Sequence, residues 1–148
     1  MNFLGNIEAK TDAKGRVFLP AAFRKVLQME GVSQLVMRKD VHEKCLVLYP
    51  EHVWNEQMAF LRQKLNRWNR QQQQTFRQFV SDVEMVALDG NGRFLISKRM
   101  QKMAEIDQTV RFIGMGDTIE VWAVKDEDEQ FMSQEDFSNA LESLIDNS

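Results

Sequence analysis

The sequence is poor in the residues that build covalent frameworks, metal centres and membrane spans. Its 148 residues include one cysteine, two histidines and two prolines. A single cysteine excludes an internal disulfide framework and is typical of a reducing cytoplasm, where we expect the protein to lie. His42 and Cys45 form the one His/Cys pair, and two ligands do not make a zinc site. No apolar run approaches the roughly 20 residues of a membrane span, and residues 1–5 lack the character of a secretory signal.

Motifs of the common catalytic classes are absent as well. Asp89–Gly92 resembles the start of a calcium loop, but Arg93 and Met100 stand where that loop needs oxygen ligands. Gly114–Gly116 lacks the third glycine of a dinucleotide-binding loop. No phosphate-binding loop, nucleophile elbow or zinc-protease helix occurs. We therefore expect a protein that is not an enzyme and that uses no cofactor, metal or small-molecule substrate.

Charge is distributed unevenly along the chain. The formal net charge is −3, from 19 basic and 22 acidic residues. The segment from Asp117 onward contains ten acidic residues and one basic residue, a net charge of −9, so residues 1–116 carry +6. Such asymmetry is typical of proteins that bind nucleic acid or another anionic surface, but an acidic tail also keeps an oligomer soluble. Charge alone leaves both interpretations open.

One eight-residue pattern occurs twice, 77 residues apart, at residues 12–19 and 89–96. Each copy reads Asp-x-x-Gly-Arg followed by three apolar residues. Each follows an extended segment and precedes a short helix-like segment and two strand-like runs. The extended segments are 6–11 and 82–88, and the strand-like runs are 34–38, 45–49, 109–115 and 118–124. Two copies predict a pseudo-symmetric domain in which neither half buries its core alone.

The repeated pattern predicts a tight hairpin turn. Aspartate accepts hydrogen bonds from backbone N–H groups in such turns, and glycine adopts positive φ at little steric cost. The residues assigned to this turn are Asp12, Gly15, Asp89 and Gly92. Arg16 and Arg93 leave the turn at the same place in both copies. They either pair with the aspartates structurally or contact a partner, and a guanidinium suits phosphate or guanine.

The segment after each turn predicts a short helix that carries cations. In the first copy Pro20 fits the first helical position, and Arg24 and Lys25 project away from the apolar face. In the second copy Ser97 fits the N-cap. Lysine and arginine follow it at Lys98, Arg99 and Lys102. These cations either belong to a binding surface near the turns or are ordinary solvated charges.

Two further helices follow from apolar periodicity. From Glu51 onward, apolar residues recur at steps of four and three, which predicts a core or interface stripe of Trp54, Met58, Leu61, Leu65 and Trp68. Gln71–Gln74 is a polar tract that we interpret as a helix junction. A last helix begins at Ser133 with Asp136 in an approximate capping box. Its apolar stripe is Phe137, Leu141, Leu144 and Ile145.

The doubled motif and its surroundings resemble the MraZ family. The resemblance rests on both Asp-x-x-Gly-Arg copies, Leu-Pro-Ala-Ala-Phe-Arg at 19–24, Leu-Val-Leu-Tyr-Pro at 46–50, Ile-Glu-Val-Trp at 119–122 and the tryptophan-bearing helix. It covers about residues 1–140, and each single motif is also similar to the AbrB-type DNA-binding half-barrel. It implies a mainly β fold with helices (α+β), a swapped-hairpin double-split β-barrel formed by two repeats. The expected units are repeat 1 (5–52), a helical linker (53–80), repeat 2 (81–124) and an acidic segment with a helix (125–148).

The resemblance also implies a function. Family members are bacterial transcriptional regulators of the division and cell-wall gene cluster that includes their own gene. They bind direct repeats in promoter DNA as ring homo-oligomers, for which we expect an octamer or dodecamer associated with the nucleoid and not with a membrane. Arg16 and Arg93 stand at the motif positions and become the expected DNA contacts. Lys14, Arg24 and Lys25 are further expected contacts.

Departures from the pattern and other functions stay open. Asn91 stands where the first copy has Lys14, so the second copy either contacts DNA less strongly or serves mainly in the barrel. The alternative function is an oligomeric protein-interaction scaffold without DNA binding, whose Trp54 stripe and acidic tail bind partners. An antitoxin of the AbrB type is disfavoured by the second full copy and by the periodic apolar residues of 137–145. DNA binding further predicts that the acidic segment, including Asp126–Glu129, lies away from the Gly-Arg turns.

Overall fold

A computed structural model describes residues 1–125 and 130–147. Within this part of the chain, strands and helices alternate in nearly the same order in both halves, which confirms a mixed α+β architecture. The elements are β1 (Asn6–Lys10), β2 (Arg16–Phe18), α1 (Ala21–Met29), β3 (Gln34–Lys39), β4 (Cys45–Pro50), α2 (Glu51–Lys64), α3 (Arg70–Ser81), β5 (Val83–Ala87), β6 (Arg93–Leu95), α4 (Lys98–Met103), β7 (Thr109–Gly114), β8 (Ile119–Ala123) and α5 (Gln134–Asp146).

The larger sheet is pseudo-symmetric. Its six strands run in the order β1-β7-β8-β4-β3-β5, and neighbouring strands are antiparallel. Reading this order from either end meets the same sequence of equivalent strands, because β1, β3 and β4 correspond to β5, β7 and β8. The first strand of each repeat pairs with the other repeat: β1 lies beside β7, and β5 lies beside β3. Each half therefore completes the sheet of the other.

A second, two-stranded sheet joins the repeats directly after their turns. β2 and β6 are antiparallel, with Val17 opposite Phe94, Arg16 opposite Leu95 and Phe18 opposite Arg93. In the described part of the chain the strand pairing gives these two separate sheets and does not close into a barrel. The predicted hairpin is therefore restricted to the turn itself, since β1 and β2 part immediately and pair with strands of the other repeat.

One hydrophobic core contains side chains from both repeats. Phe3, Phe23, Phe94 and Phe112 are almost fully buried within it. The Phe3 and Phe23 rings meet edge to face at 5.7 Å between centroids, and Phe94 and Phe112 do so at 6.2 Å. Burial of such rings dominates core energetics. The shared core explains why neither half is expected to fold alone.

The helix starts follow capping chemistry, with one correction. Ser97 caps α4 as predicted, and its Oγ accepts the Met100 N–H at 3.2 Å. Ser133 caps α5 in the same way, accepting the Asp136 N–H at 3.1 Å. The prediction that Pro20 is the first helical residue is wrong. Pro20 is the N-cap, with ψ of 139°, because its extended backbone continues from β2 and the helix begins at the next residue.

The linker forms two helices whose boundary lies earlier than predicted. α2 ends at Lys64 and α3 begins at Arg70. The tract Gln71–Gln74, predicted as the junction, forms the first turn of α3 instead. The reason is local: Asn69 Oδ1 accepts the Gln72 N–H at 3.0 Å and thereby caps α3. The predicted apolar stripe from Trp54 to Trp68 therefore does not continue past the end of α2. Its Trp54 is buried and stacks on Phe79 at 5.1 Å, whereas Trp68 lies on the turn and is 95% exposed.

The C-terminal part is helical where the structure describes it. α5 has its apolar residues at the predicted spacing, yet every residue from 131 to 147 is exposed. The predicted acidic stretch Asp126–Glu129 lies outside the described residues. No helix in residues 1–125 and 130–147 is long and apolar enough to cross a membrane.

Candidate nucleic-acid interface

The two Gly-Arg turns have nearly identical hydrogen bonding. In the first, Asp12 Oδ1 accepts the N–H groups of Lys14 at 2.9 Å and Arg16 at 2.8 Å. In the second, Asp89 Oδ1 accepts the N–H groups of Asn91 and Arg93, each at 2.9 Å. This is the turn chemistry that the repeated pattern predicts. Identity at three of the five motif positions therefore gives nearly identical local geometry at two places in the fold.

Each aspartate also binds the arginine of its own turn. Asp12 Oδ2 accepts the Arg16 Nε–H at 2.8 Å, and Asp89 Oδ2 accepts the Arg93 Nε–H at 3.0 Å. Because these pairs use Nε, the two terminal guanidinium nitrogens take no part in them. The arginine side chains are 36% and 25% exposed. The structural role and the contact role therefore coexist: the aspartate orients the guanidinium, and its terminal fork remains for a partner.

The electrostatics of the turns favour the first copy. The Arg16 backbone N–H lowers the pKa of Asp12, and the Arg93 backbone N–H lowers the pKa of Asp89. Both carboxylates are therefore ionised at neutral pH and offset one guanidinium charge each. The first turn also contains Lys14, which is exposed, while the uncharged Asn91 occupies that position in the second. Counting only the residues of each turn, the first thus has a net positive charge and the second has none.

Cross-repeat contacts hold the two turns in one unit. The Ile96 N–H donates to the Gly15 carbonyl at 2.9 Å, and the Leu19 N–H donates to the Gly92 carbonyl at 3.0 Å. These four residues are equivalent in pairs at the 77-residue offset. Each repeat therefore fixes the turn of the other, and the spacing between the turns is set by the backbone.

The short helices complete this exchange. Arg24 of α1 packs against Gly92, and its Nη1 donates to the Asn91 carbonyl at 3.3 Å. Gln101 of α4, the equivalent residue, packs against Gly15 and donates to the Ile96 carbonyl at 2.7 Å. Sequence reasoning had Arg24 as a DNA contact beside its own turn. The structure places it half-buried on the other repeat's turn, whereas Lys25 is exposed on α1.

Two apolar residues that sequence reasoning did not select lie beside the arginines. Residues two apart in a strand and residues directly opposite in neighbouring strands share one face of a sheet. Arg16, Phe18, Arg93 and Leu95 therefore share one face of the β2–β6 ribbon, which we call the arginine face. Phe18 is 52% and Leu95 is 50% exposed, and Arg93 Cζ lies 5.7 Å from the centre of the Phe18 ring. The sequence signal for this face is the strand alternation after each Gly-Arg pair, which places Phe18 on the side of Arg16 and Leu95 on the side of Arg93.

One more cation joins the first turn from the second repeat. An open cleft of about 400 Å³ runs along the first turn, and it is lined by residues of both repeats: Thr11, Asp12, Ala13, Lys14, Gly15, Lys98, Gln101, Asp107 and Gln108. Lys98 is exposed at this position. The turn that has Lys14 is thus also the turn that gains Lys98, which strengthens the positive charge of the first copy.

A cluster on the larger sheet is the one place among the described residues where metal-ligating side chains meet. The ligand atoms of Asp40, Cys45 and Glu120 lie within 4.8 Å of one another. Burial raises the pKa of the Cys45 thiol and, less strongly, the pKa of Glu120. Trp122 Nε1 donates to Glu120 Oε1 at 2.9 Å. Three potential ligand atoms alone do not identify a metal site, so we assign no metal to this cluster.

Known proteins similar to this chain match it over nearly its whole length. The model of the family described as "MraZ protein, putative antitoxin-like" matches residues 2–85 and, a second time, residues 79–148. Several curated relatives share the name "Transcriptional regulator MraZ". The one from Phocaeicola vulgatus is 63% identical over 98% of this chain and 94% of its own length. The one from Bacteroides fragilis is 55% identical over 98% and 92%, and the one from Christiangramia forsetii is 34% identical over 99% and 95%.

Proposed function

Because the chain belongs to the MraZ family, we propose that it is a transcriptional regulator that binds double-stranded DNA through its two Gly-Arg turns. The single observation that supports this most is the arginine face, on which two oriented guanidinium groups lie on one two-stranded ribbon. The names of the relatives support the regulatory role. The absence of the common catalytic motifs agrees with a binding protein.

The β2–β6 ribbon presents the type of element and the side chains that suit the major groove of DNA. The major groove of B-DNA admits a two-stranded β-ribbon, and arginine pairs bidentately with guanine there. Arg16 and Arg93 supply that fork, while the exposed Phe18 and Leu95 supply the apolar surface that packs on thymine methyl groups. Lys14, Lys25 and Lys98 supply phosphate contacts, which give affinity but no sequence preference. Arg24 contributes through the second turn, which it holds in place.

The wider regulatory role is part of the same proposal. The repeats at 5–52 and 81–124 form one AbrB-type unit with strands exchanged between the repeats, and subunits of this kind assemble into a ring. The ring binds direct repeats upstream of the division and cell-wall gene cluster that includes its own gene, and so it associates with the nucleoid. One arginine face offers few cations. Several subunits that engage repeated sites at once supply the affinity that one subunit lacks.

An interaction scaffold without DNA binding is the second candidate. The observation that favours it is the exposed apolar surface of Trp68 and α5, which lies outside the turns. The scaffold uses this surface for other proteins and leaves the Gly-Arg turns without a ligand. It therefore predicts an oligomer with no salt-dependent affinity for DNA.

Fluorescence anisotropy on a labelled duplex from the region upstream of its own gene tests the proposal. We compare the wild type with Arg16→Ala and Arg93→Ala, after thermal unfolding has shown that both variants are folded. Each substitution removes one oriented fork, so we expect affinity to fall about 10- to 100-fold. Lys44→Ala, which removes an exposed cation of the β3–β4 loop, serves as the control and binds like the wild type. Unchanged affinity in both arginine variants overturns the proposal.

A further inference from the structure

The C-terminal helix has the form of a docking element. α5 is 13 residues long, about 20 Å at 1.5 Å per residue. Phe137, Leu141 and Leu144 form one apolar stripe and are 48%, 43% and 72% exposed. The helix contains four acidic residues and no basic residue. An amphipathic helix that leaves its apolar face in water is expected to bury that face against a partner.

The linker presents the opposite charge together with its own apolar surface. Residues 60–77, which we call the basic linker, contain five basic residues and no acidic residue. Phe60 is 61% and Trp68 is 95% exposed there. Between α2 and α3 lies a groove of about 580 Å³, lined by Arg62, Leu65, Arg67, Gln73 and Phe76. The basic linker therefore combines an apolar groove with a positive rim.

The turn that presents Trp68 is held by hydrogen bonds. Asn66 Oδ1 accepts the Trp68 N–H at 2.9 Å, and Gln72 Oε1 accepts the Asn66 N–H at 2.6 Å. The indole is thus exposed on an ordered turn. Exposed tryptophans on preorganised elements are typical anchors of protein interfaces.

Cations of the basic linker lie over its aromatic rings. The Arg62 guanidinium lies 5.4 Å from the centre of the Phe76 ring, and Lys64 Nζ lies 5.3 Å from the centre of the Phe60 ring. A partner with apolar and acidic residues on adjacent faces contacts the ring and the cation together. The stripe and the carboxylates of α5 have this arrangement, and α3, at 12 residues, nearly matches its length.

We infer that α5 of one subunit docks on the basic linker of a neighbouring copy of this chain. Within one chain both surfaces remain exposed, so they are available to a second copy. Pairing of α5 with another α5 brings four carboxylates against four, which is unfavourable. The inference rests on the proposed ring and identifies the surfaces that build it. Joining two different surfaces makes the contact heterologous, the type that closes into rings.

Complementary variants test the docking by sedimentation velocity, without DNA. The helix variant, Phe137→Gln with Leu141→Gln, removes the apolar stripe but keeps good helix formers. The linker variant, Arg67→Glu with Trp68→Gln, removes the anchor and reverses one charge. The control, Met29→Gln with Val41→Gln, removes two side chains that are 79% and 63% exposed elsewhere. All the substituted side chains are exposed, so the folds are expected to persist, and circular dichroism checks this.

The two docking variants alone are expected to be monomers, and their equimolar mixture is expected to form a heterodimer and nothing larger. In that mixture the intact α5 of the linker variant docks on the intact basic linker of the helix variant. Neither chain has a second intact surface, so no larger oligomer forms. The control assembles like the wild type. Monomers in the mixture, or a monomeric wild type, show that α5 does not join two subunits, and dimers of the linker variant alone show α5–α5 pairing. Either result overturns the inference, as does a linker variant that assembles normally but loses DNA affinity.

The two proposals fail separately in this design. If the variants assemble as predicted but the wild type does not bind its upstream DNA, the proposed regulatory function is refuted and the docking inference is not. If the wild type binds its upstream DNA and both docking variants still form oligomers of wild-type size, the docking inference alone is refuted.

Discussion

Arg24 covers Gly92, although 67 residues separate Asn91 from Arg24 and the two lie in different repeats. Its guanidinium end lies where a Cβ would stand, and its Nη1 donates to the Asn91 carbonyl. Gln101 has the equivalent place over Gly15. The two turns therefore depend on each other, and damage to one repeat reaches the arginine of the other.

Alanine at the two turn glycines is expected to cost different amounts of stability. Both have positive φ, 86° at Gly15 and 85° at Gly92, where an L-residue costs roughly 1–2 kcal/mol. At Gly15 an added Cβ also meets the Ile96 carbonyl oxygen at 2.8 Å, which is backbone. At Gly92 it meets the flexible Arg24 side chain, which can move aside. Urea unfolding should show Gly15→Ala less stable than Gly92→Ala by about 1 kcal/mol or more.

Gln101→Ala in the Gly15→Ala background provides the control for that comparison. Removing Gln101 relieves the side-chain contact but leaves the carbonyl contact and the φ strain, so we expect only partial recovery of stability. Equal stability of the two single variants, or full recovery in the double variant, contradicts the described packing of Gly15.

The Gly-Arg turns are expected to come apart in acid. Backbone N–H groups hold the pKa of Asp12 and of Asp89 below the ordinary value of 3.8. A carboxylate whose pKa is lower in the folded state stabilises that state at higher pH and loses this effect as the pH falls through the lowered pKa. The Arg16 and Arg93 Nε–H resonances should therefore stay constant down to about pH 4 and change below it. A transition near neutral pH, or one that persists in Asp12→Asn with Asp89→Asn, argues against the carboxylate contacts.

Glu120→Gln is expected to raise stability at neutral pH. Burial raises the pKa of Glu120 above 4.5, with the nearby Asp40 and Glu43 adding to the effect. The wild type therefore loses stability as the pH rises from 4.5 through that raised pKa. Glutamine removes this charge while its oxygen still accepts the Trp122 Nε1–H. We expect Tm to rise by about 2 °C near neutral pH, with the gain disappearing towards pH 4. A lower Tm at neutral pH refutes the interpretation.

Phe18→Leu is expected to make the two turns alike. Leu95 already stands at the equivalent position of the second repeat, so of the two turn arginines Arg93 lies over an aromatic ring and Arg16 does not. Phe18 is half exposed, and the substitution should leave the fold intact. Loss of the cation–π contact should weaken DNA binding about two- to five-fold and increase the mobility of the Arg93 side chain in ¹⁵N relaxation. Leu95→Phe is the reciprocal variant, and it should order Arg16. No change in either arginine would show that the rings do not position them.

Local chemistry made much of the site predictable. The doubled Asp-x-x-Gly-Arg pattern predicted both turns, because aspartate acceptors and positive-φ glycines act within five residues. Ser97 and Ser133 were predictable as caps for the same reason. Comparison with related proteins confirmed the family that these residues resemble. The domain limits and the DNA-contacting residues remain predictions.

Contacts between residues far apart in the sequence were not predictable from the apolar pattern. Periodicity shows which side of β1 is apolar, but it does not show that β7, about 100 residues away, pairs with β1. Sequence proximity predicts that Arg24 lies near the turn of its own repeat, whereas the strand exchange places it on the turn of the other repeat. The apolar spacing up to Trp68 predicts one continuous helix. The side chains of Asn66 and Asn69 accept the N–H groups of Trp68 and Gln72 and so interrupt that helix. The apolar residues of α5 have the predicted spacing, but this spacing does not identify the surface that buries them.

The salt dependence of DNA binding tests the central claim most directly. Each phosphate contact adds about 0.9 to the slope of log affinity against log salt. We predict that wild-type protein shows a steep slope on its upstream duplex between about 50 and 200 mM salt. The Arg16→Ala, Arg93→Ala double variant should bind more weakly at every salt concentration, whereas Lys14→Ala with Lys98→Ala, which removes phosphate contacts, should make the slope shallower by about one to two for each engaged subunit. Wild-type affinity of the arginine variant across this range would contradict DNA binding by the arginine face.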